Sequence, residues 1–175
     1  MEPPEMINAG DLVLKRWEPE WAAELAAAVQ ESLPELRPWL PFATDDYGVD
    51  QARDFIGRNF DGTQFNYAIF TAVGELIGTI GLMTRMGPDV LEIGYWMRTP
   101  YAGRGHMTAA VRVITRVALT LPGIERVAIR HDPANVASAA VAAKAGFAET
   151  ARDGDDVIRE YRGETRSGAG APPRR

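Results

Sequence analysis

Cysteine is absent from all 175 residues. Disulfides, Cys-ligated zinc, iron–sulfur clusters and a cysteine nucleophile are thereby excluded. Histidine is almost absent too. His106 and His131 are the only two, too few for a His-rich metal site, and no metal is expected. No apolar run reaches the ~18 residues of a membrane span. The first ten residues, MEPPEMINAG, carry acids and prolines where a secretory signal has a basic region and an apolar core. The expected compartment is the cytoplasm, with no membrane partner. An excess of basic charge is also missing. The net charge is −5 and the pI about 5.1, which disfavours sequence-independent nucleic-acid binding, so no nucleic-acid partner is expected. Of 19 basic residues only Lys15 and Lys144 are lysines. With the abundant alanine, that bias points to a GC-rich bacterial genome rather than to a mechanism.

What remains is an ordinary soluble composition, 46% hydrophobic and 25% charged. A chain of this length suits one domain, able to bury about two thirds of the surface its unfolded form exposes. The domain is expected over 1–163. The last stretch, ETRSGAGAPPRR (164–175), lacks apolar content and is expected to be a disordered tail.

Residues 11–17, DLVLKRW, alternate as a strand does. Pro19 opens a helix, PEWAAELAAAVQES, rich in helix formers with apolar residues at helical spacing. Residues 33–43, LPELRPWLPFA, are broken by three prolines and read as a short helical turn or a loop with aromatic anchors. DQARDFIGRNFD (50–61) sets Ala52, Phe55, Ile56 and Phe60 on one helical face. Three strands follow at 64–72, 75–84 and 89–98, joined so briefly that they must form an antiparallel meander. A helix is expected from about Arg104 to Thr120, a strand at 123–132, and an Ala-rich helix at 134–146 closed by Gly146. A last strand pair turns around Asp153-Gly154-Asp155. The order predicts an α/β fold: a mixed sheet in which a meander leads into a βαβ crossover, with helices on both faces.

Chemistry concentrates in YWMRTPYAGRGHMTAAVRVIT, a strand, a glycine turn and a helix start. Gly103 and Gly105 permit close backbone approach to a ligand. The helix adds unpaired N–H groups and the positive end of its dipole, which suits a pyrophosphate, and Arg104 offers a charge-assisted contact. Two better-known phosphate motifs fail here. G-x-G-x-x-G needs glycine where Thr108 stands, and G-x-x-x-x-G-K-[ST] does not occur. A plain connecting turn stays open on this segment alone.

About thirty residues on lies Asn135-Val136-Ala137-Ser138, then Lys144-Ala145-Gly146-Phe147. Together these segments resemble the GNAT superfamily of N-acetyltransferases. Within it they resemble the RimJ/RimL-like branch, which acetylates ribosomal-protein N-termini. LEIGYWM, AGRGHMT, NVASAAVAAKAGF and the upstream LRPWLPFA and ARDFI carry the resemblance, over roughly residues 10–163.

The resemblance implies a GNAT (acyl-CoA N-acyltransferase) fold whose βαβ strands splay apart around acetyl-CoA. Backbone groups of Trp96, Met97 and Arg98 would hold the pantetheine arm. Gly103, Arg104, Gly105, His106, Met107 and Thr108 would hold the pyrophosphate, and Asn135 would contact the pantetheine and start its helix. Two departures stand out. Ala102 and Met107 occupy the first and last positions of the superfamily's [QR]-x-x-G-x-[GA] pattern, and Ala142 replaces the tyrosine that many members use as general acid. Ser138 then becomes the candidate to protonate or hydrogen-bond the leaving thiolate, and a backbone N–H near Met97 the group that polarises the thioester carbonyl.

Acetylating an amine needs its neutral form, and an alkylammonium has a pKa near ~10. Glu92 is the candidate base, a carboxylate within an otherwise apolar strand at a position where the branch places a glutamate. An ion-paired or solvent-facing Glu92 is the alternative. His106 reads as packing or a coenzyme contact, and His131 as a less favoured base. Asp45 and Asp46 read as solvated loop acids. Trp39 and Phe42 are either core anchors or a wall of the acceptor pocket, together with Glu92. The expected reaction is direct attack of a primary amine on acetyl-CoA, the amine belonging to a protein N-terminus. A small-molecule acceptor (antibiotic, polyamine or aminoacyl compound) and a non-catalytic acyl-CoA-binding module are the alternatives. Monomer and homodimer are both compatible.

Overall fold

The computed structural model describes residues 1–163; the expected tail at 164–175 lies outside the described residues. The chain runs through β1 (Met6–Ala9), β2 (Leu12–Arg16), α1 (Ala22–Glu31), α2 (Leu33–Leu36), α3 (Val49–Gly57), β3 (Gln64–Thr71), β4 (Leu76–Met83) and β5 (Val90–Met97). It continues through α4 (His106–Ala118), β6 (Arg126–His131), α5 (Val136–Lys144), β7 (Ala148–Asp153) and β8 (Asp156–Arg162). The strands form one sheet in the order β1-β2-β3-β4-β5-β6-β8-β7. Every neighbouring pair is antiparallel except β5 and β6. That single parallel pair follows from its connection: a crossover through α4 brings the chain back in the same direction. This is the mixed α/β GNAT fold.

Strand alternation sorts the core into two layers. Leu91, Ile93, Tyr95 and Met97 of β5 face α4, in one apolar cluster with Phe65, Tyr67, Ile69, Val111 and Ile114. Trp96 faces the other way, in a second cluster with Leu25, Val29, Ala52 and Ile56 of α1 and α3. Two differences from the sequence reading arise here. β1 has only four residues and follows Pro3 and Pro4, so it carried no strand signal, yet Ile7 and Ala9 are buried through a hairpin closed by Gly10 at φ 64°. Phe60 does not share the α3 face. The helix ends at Gly57, and Phe60, at φ 57°, packs edge-on against Phe65 and Tyr67 in the α4-side layer.

Candidate active site

β5 and β6 separate part-way along their length. Their pairing runs from Val90↔Arg126 to Glu92↔Ala128 and stops, while β5 stays paired to β4 as far as Met97↔Gly78. Arg98 N–H donates to the Ile77 carbonyl at 2.8 Å. Antiparallel pairing alternates, so Trp96 also turns its N–H and C=O toward β4, and Tyr95 and Met97 turn theirs toward the gap. The backbone open to a pantetheine arm is therefore that of Tyr95 and Met97, rather than of Trp96 and Arg98. β4 approaches closely at this point. A Cβ on Gly78 would lie 2.5 Å from the Trp96 carbonyl oxygen, so glycine lets β4 support the unpaired half of β5.

The turn after β5 is fastened to α1 and α2. Arg98 pairs with both carboxylate oxygens of Glu31 (2.6 and 3.0 Å) and donates to the Leu76 carbonyl at 2.7 Å. That grip holds the Glu31 carboxyl below its ordinary range and raises the Arg98 guanidinium. Thr99 N–H donates to Ser32 Oγ at 2.9 Å and the Thr99 hydroxyl to Glu35 at 3.0 Å. Gly103 (φ 73°) and Gly105 (φ 82°) then fold the chain into a left-handed turn with open space where a Cβ would stand. Gly105 is the N-cap of α4 and provides no side-chain acceptor; Ala109 N–H is the first to bond back, to the Gly105 carbonyl at 3.1 Å. The amides of His106, Met107 and Thr108 thus open onto the cradle. The side chains of Met107 and Thr108 are buried, so those residues can serve a ligand through backbone alone. Arg104 is exposed, its guanidinium 5.9 Å from the centre of the Tyr101 ring. An uncapped helix start, an open glycine turn and an unpaired strand edge fit the phosphate and amide groups of coenzyme A.

A cavity of about 950 Å³ is lined from both sides of the sheet, by Glu92 and Trp96 of one face and by Tyr95 and Ser138 of the other. It therefore passes through the sheet where β5 and β6 part. Glu92 is 2% exposed, and its two carboxylate oxygens accept from Arg85 Nε and Nη2 at 2.6 and 2.7 Å. The pairing raises the Arg85 guanidinium. Trp39 and Phe42 also line the cavity, 38% and 43% exposed, with Phe42 against Tyr47 at 5.7 Å between ring centres.

On the far side Asn135 Oδ1 accepts from the Ser138 N–H at 3.1 Å, starting α5. Ser138 Oγ lies 2.9 Å from the Tyr95 hydroxyl, which also donates to the Ser138 carbonyl at 3.1 Å. Ala142 is fully buried in the core. His131 is buried, with Nδ1 2.9 Å from the Asp132 carbonyl and Nε2 accepting from Arg159 Nε at 3.1 Å. That sets the neutral tautomer protonated at Nδ1 and occupies the lone pair a base would need. Asp45 is exposed and paired to Arg37 at 2.6 Å, Asp46 is exposed, and His106 is half-buried at the start of α4.

Sequence pattern alone does not single out Arg85 or Tyr95. Arg85 lies in the β4–β5 connection, seven positions from Glu92, where local spacing gives no hint of a contact. Tyr95 could be placed on the face opposite Glu92 by strand alternation, but its meeting with α5 depends on tertiary packing. Among the described residues no group of three or more metal-ligating side chains converges, and no helix is long and apolar enough to cross a membrane.

The family model for the acetyltransferase (GNAT) domain matches residues 11–148. The "Putative ribosomal N-acetyltransferase YdaF" of Bacillus subtilis (strain 168) is 30% identical over 154 residues, covering 82% of each chain. Among solved structures, the ribosomal-protein alpha-N-acetyltransferase RimL in complex with coenzyme A superposes with a TM-score of 0.81 at 22% identity, over 90% of this chain and 98% of that one. Mycobacterium smegmatis RimJ in complex with a CoA disulfide superposes with a TM-score of 0.81 at 22% identity, over 97% and 93%.

Proposed function

The chain belongs to the GNAT acetyltransferase family, and we propose that it moves the acetyl group of acetyl-CoA to the α-amine of a protein N-terminus. The coarser activity, acetyl-CoA-dependent N-acetylation of an amine, is that of the family. The observation that carries the reading is the cavity through the sheet. It joins Tyr95 and Ser138 at the parted strands to a buried carboxylate under an exposed aromatic rim. The ribosomal acetyltransferase names of the relatives support a protein acceptor, and the exposed Trp39 and Phe42 give an extended chain end an apolar rim to lie against.

Bound acetyl-CoA supplies an activated acyl group with a thiolate leaving group. The chain's own residues do the rest. The uncapped amides of α4, with Gly103, Arg104 and Gly105, hold the pyrophosphate. Asn135 spends its side-chain oxygen on the helix cap, leaving its amide nitrogen for the pantetheine. The Met97 N–H, directed into the gap, polarises the thioester carbonyl. Glu92, the only buried acid among the described residues, takes the amine's proton once Arg85 moves aside or a water stands between them. Ser138 donates a hydrogen bond to the sulfur as the C–S bond breaks. With no acyl-enzyme stage, the amine attacks directly. This chemistry belongs in the cytoplasm, where acetyl-CoA and new protein N-termini meet.

The test is mass spectrometry of products after incubation with acetyl-CoA and a lysate of the host. Nα-acetylated peptides are expected; acetylation confined to small molecules would overturn the protein acceptor and keep the transferase.

A further inference from the structure

We infer that Tyr95 is a positioning residue for the Ser138 hydroxyl, setting it to meet the sulfur that leaves when the thioester is cleaved; the inference rests on the acetyl-CoA reading above. Both polar contacts of the Tyr95 hydroxyl fall on one residue, the Ser138 carbonyl at 3.1 Å and the Ser138 Oγ at 2.9 Å. A phenol has a single proton. When Tyr95 donates to the carbonyl, Ser138 must be the donor in the other contact, and its hydroxyl proton is parked on Tyr95. The amide of Ser138 is tied to Asn135. The backbone of this residue is therefore fixed from two sides while its hydroxyl proton alone is free to turn.

That freedom suits a charge that appears late. As the C–S bond breaks, its electron pair goes to sulfur and the new C–N bond takes its place. The amine's proton passes to Glu92 or to water. Ser138 then turns its O–H toward sulfur, and Tyr95 swings its own proton from the carbonyl to Ser138 Oγ. Neither hydroxyl is deprotonated; each changes partner. A donor behind a donor strengthens the first. Burial pushes the Tyr95 phenol up to about 12, so it stays a neutral donor at any working pH. Strand alternation explains how one residue serves twice. The Tyr95 side chain faces α4 and α5 while its backbone opens onto the gap, and Tyr95 and Ser138 both line the cavity. Ala142, one turn further along α5, has no hydroxyl to offer.

The experiment is an ultraviolet titration of the CoA thiol in the enzyme–CoA complex, followed through thiolate absorbance, for the wild type, Y95F, S138A and the double variant. It needs no acceptor. The bound thiol is expected to titrate below free CoA. Y95F should raise that value by roughly half to one unit, the equivalent of one ordinary hydrogen bond, with CoA affinity nearly intact and the melting temperature lowered only by the loss of the bond to the Ser138 carbonyl. In the S138A background the same substitution should change nothing. A Y95F shift of equal size in both backgrounds, or no shift in either, overturns the inference, because a packing role is indifferent to the Ser138 hydroxyl. If S138A raises the value and Y95F does not, Tyr95 alone is wrong. If no complex forms at millimolar CoA, the acetyl-CoA reading falls and this inference with it.

Discussion

Arg85 grips Glu92 with two parallel hydrogen bonds, 2.6 Å from Nε and 2.7 Å from Nη2, although the Glu92 side chain is 3% exposed and that of Arg85 64%. A carboxylate placed inside a sheet must be compensated, and here the compensating charge reaches in from solvent. Removing Arg85 alone strands a buried charge. Arg85→Met is expected to destabilise the fold by about 1–3 kcal/mol, while Arg85→Met with Glu92→Gln recovers most of that loss because no charge is left without a partner. Urea unfolding of the two variants and of Glu92→Gln completes the cycle; simple additivity would show that the pair is decorative.

The same pair bears on catalysis. Glu92→Gln keeps the shape and an oxygen for Arg85 while removing the proton acceptor. kcat/KM for the amine should fall by ~10²–10⁴-fold, with CoA affinity nearly intact, measured by steady-state thiol release and calorimetry. An unchanged rate and pH limb would make Glu92 a structural residue, leaving water or the substrate itself as the base, since the His131 lone pair is engaged by Arg159.

Gly105→Glu places a side chain and a negative charge in the open space of the cradle, at a φ of 82° that L-residues resist. CoA affinity should drop more than tenfold by the electrostatic argument alone. A folded variant that binds CoA as the wild type does would reduce the glycine turn to a connector.

Glu31 and Arg98 hold the turn that leads into the cradle, and the linkage has a definite sign. The Arg98 guanidinium lowers the Glu31 carboxyl in the folded protein. The stabilisation is therefore complete above the ordinary carboxylate range and is lost as pH falls through the lowered folded value. Glu31 is 38% exposed, so screening keeps the effect small. Glu31→Gln should cost at most about 1 kcal/mol near neutrality, and the gap between its melting temperature and that of the wild type should close as the solution is acidified. A gap that stays constant with pH would assign the loss to packing.

Most of the fold was legible where hydrophobic period and turn residues agree. The meander from Gln64 to Met97, the helix before it and the α4 crossover follow from alternation, short connections and glycines. β1 is not, because four residues after two prolines carry too little pattern, and neither is the departure of Phe60 from the helical face, because a positive φ at a non-glycine is invisible in spacing. In the site, Gly103 and Gly105 announced themselves through the strand–turn–helix context. Which backbone groups face the gap did not, since that depends on where pairing to β6 stops. Arg85 on Glu92 and Tyr95 on Ser138 join residues 7 and 43 positions apart, and only packing brings those side chains together.

Acetyl-CoA titrated into the protein, with free thiol followed as peptides bearing a free N-terminus are added, tests most directly whether the parted strands seat a reacting thioester. One saturable site per chain is expected, together with thiol that appears only when a peptide amine is present and matches the acetylated product in amount. Absence of binding at millimolar acetyl-CoA would contradict the cofactor site, and tight binding without thiol release on any amine would contradict catalysis.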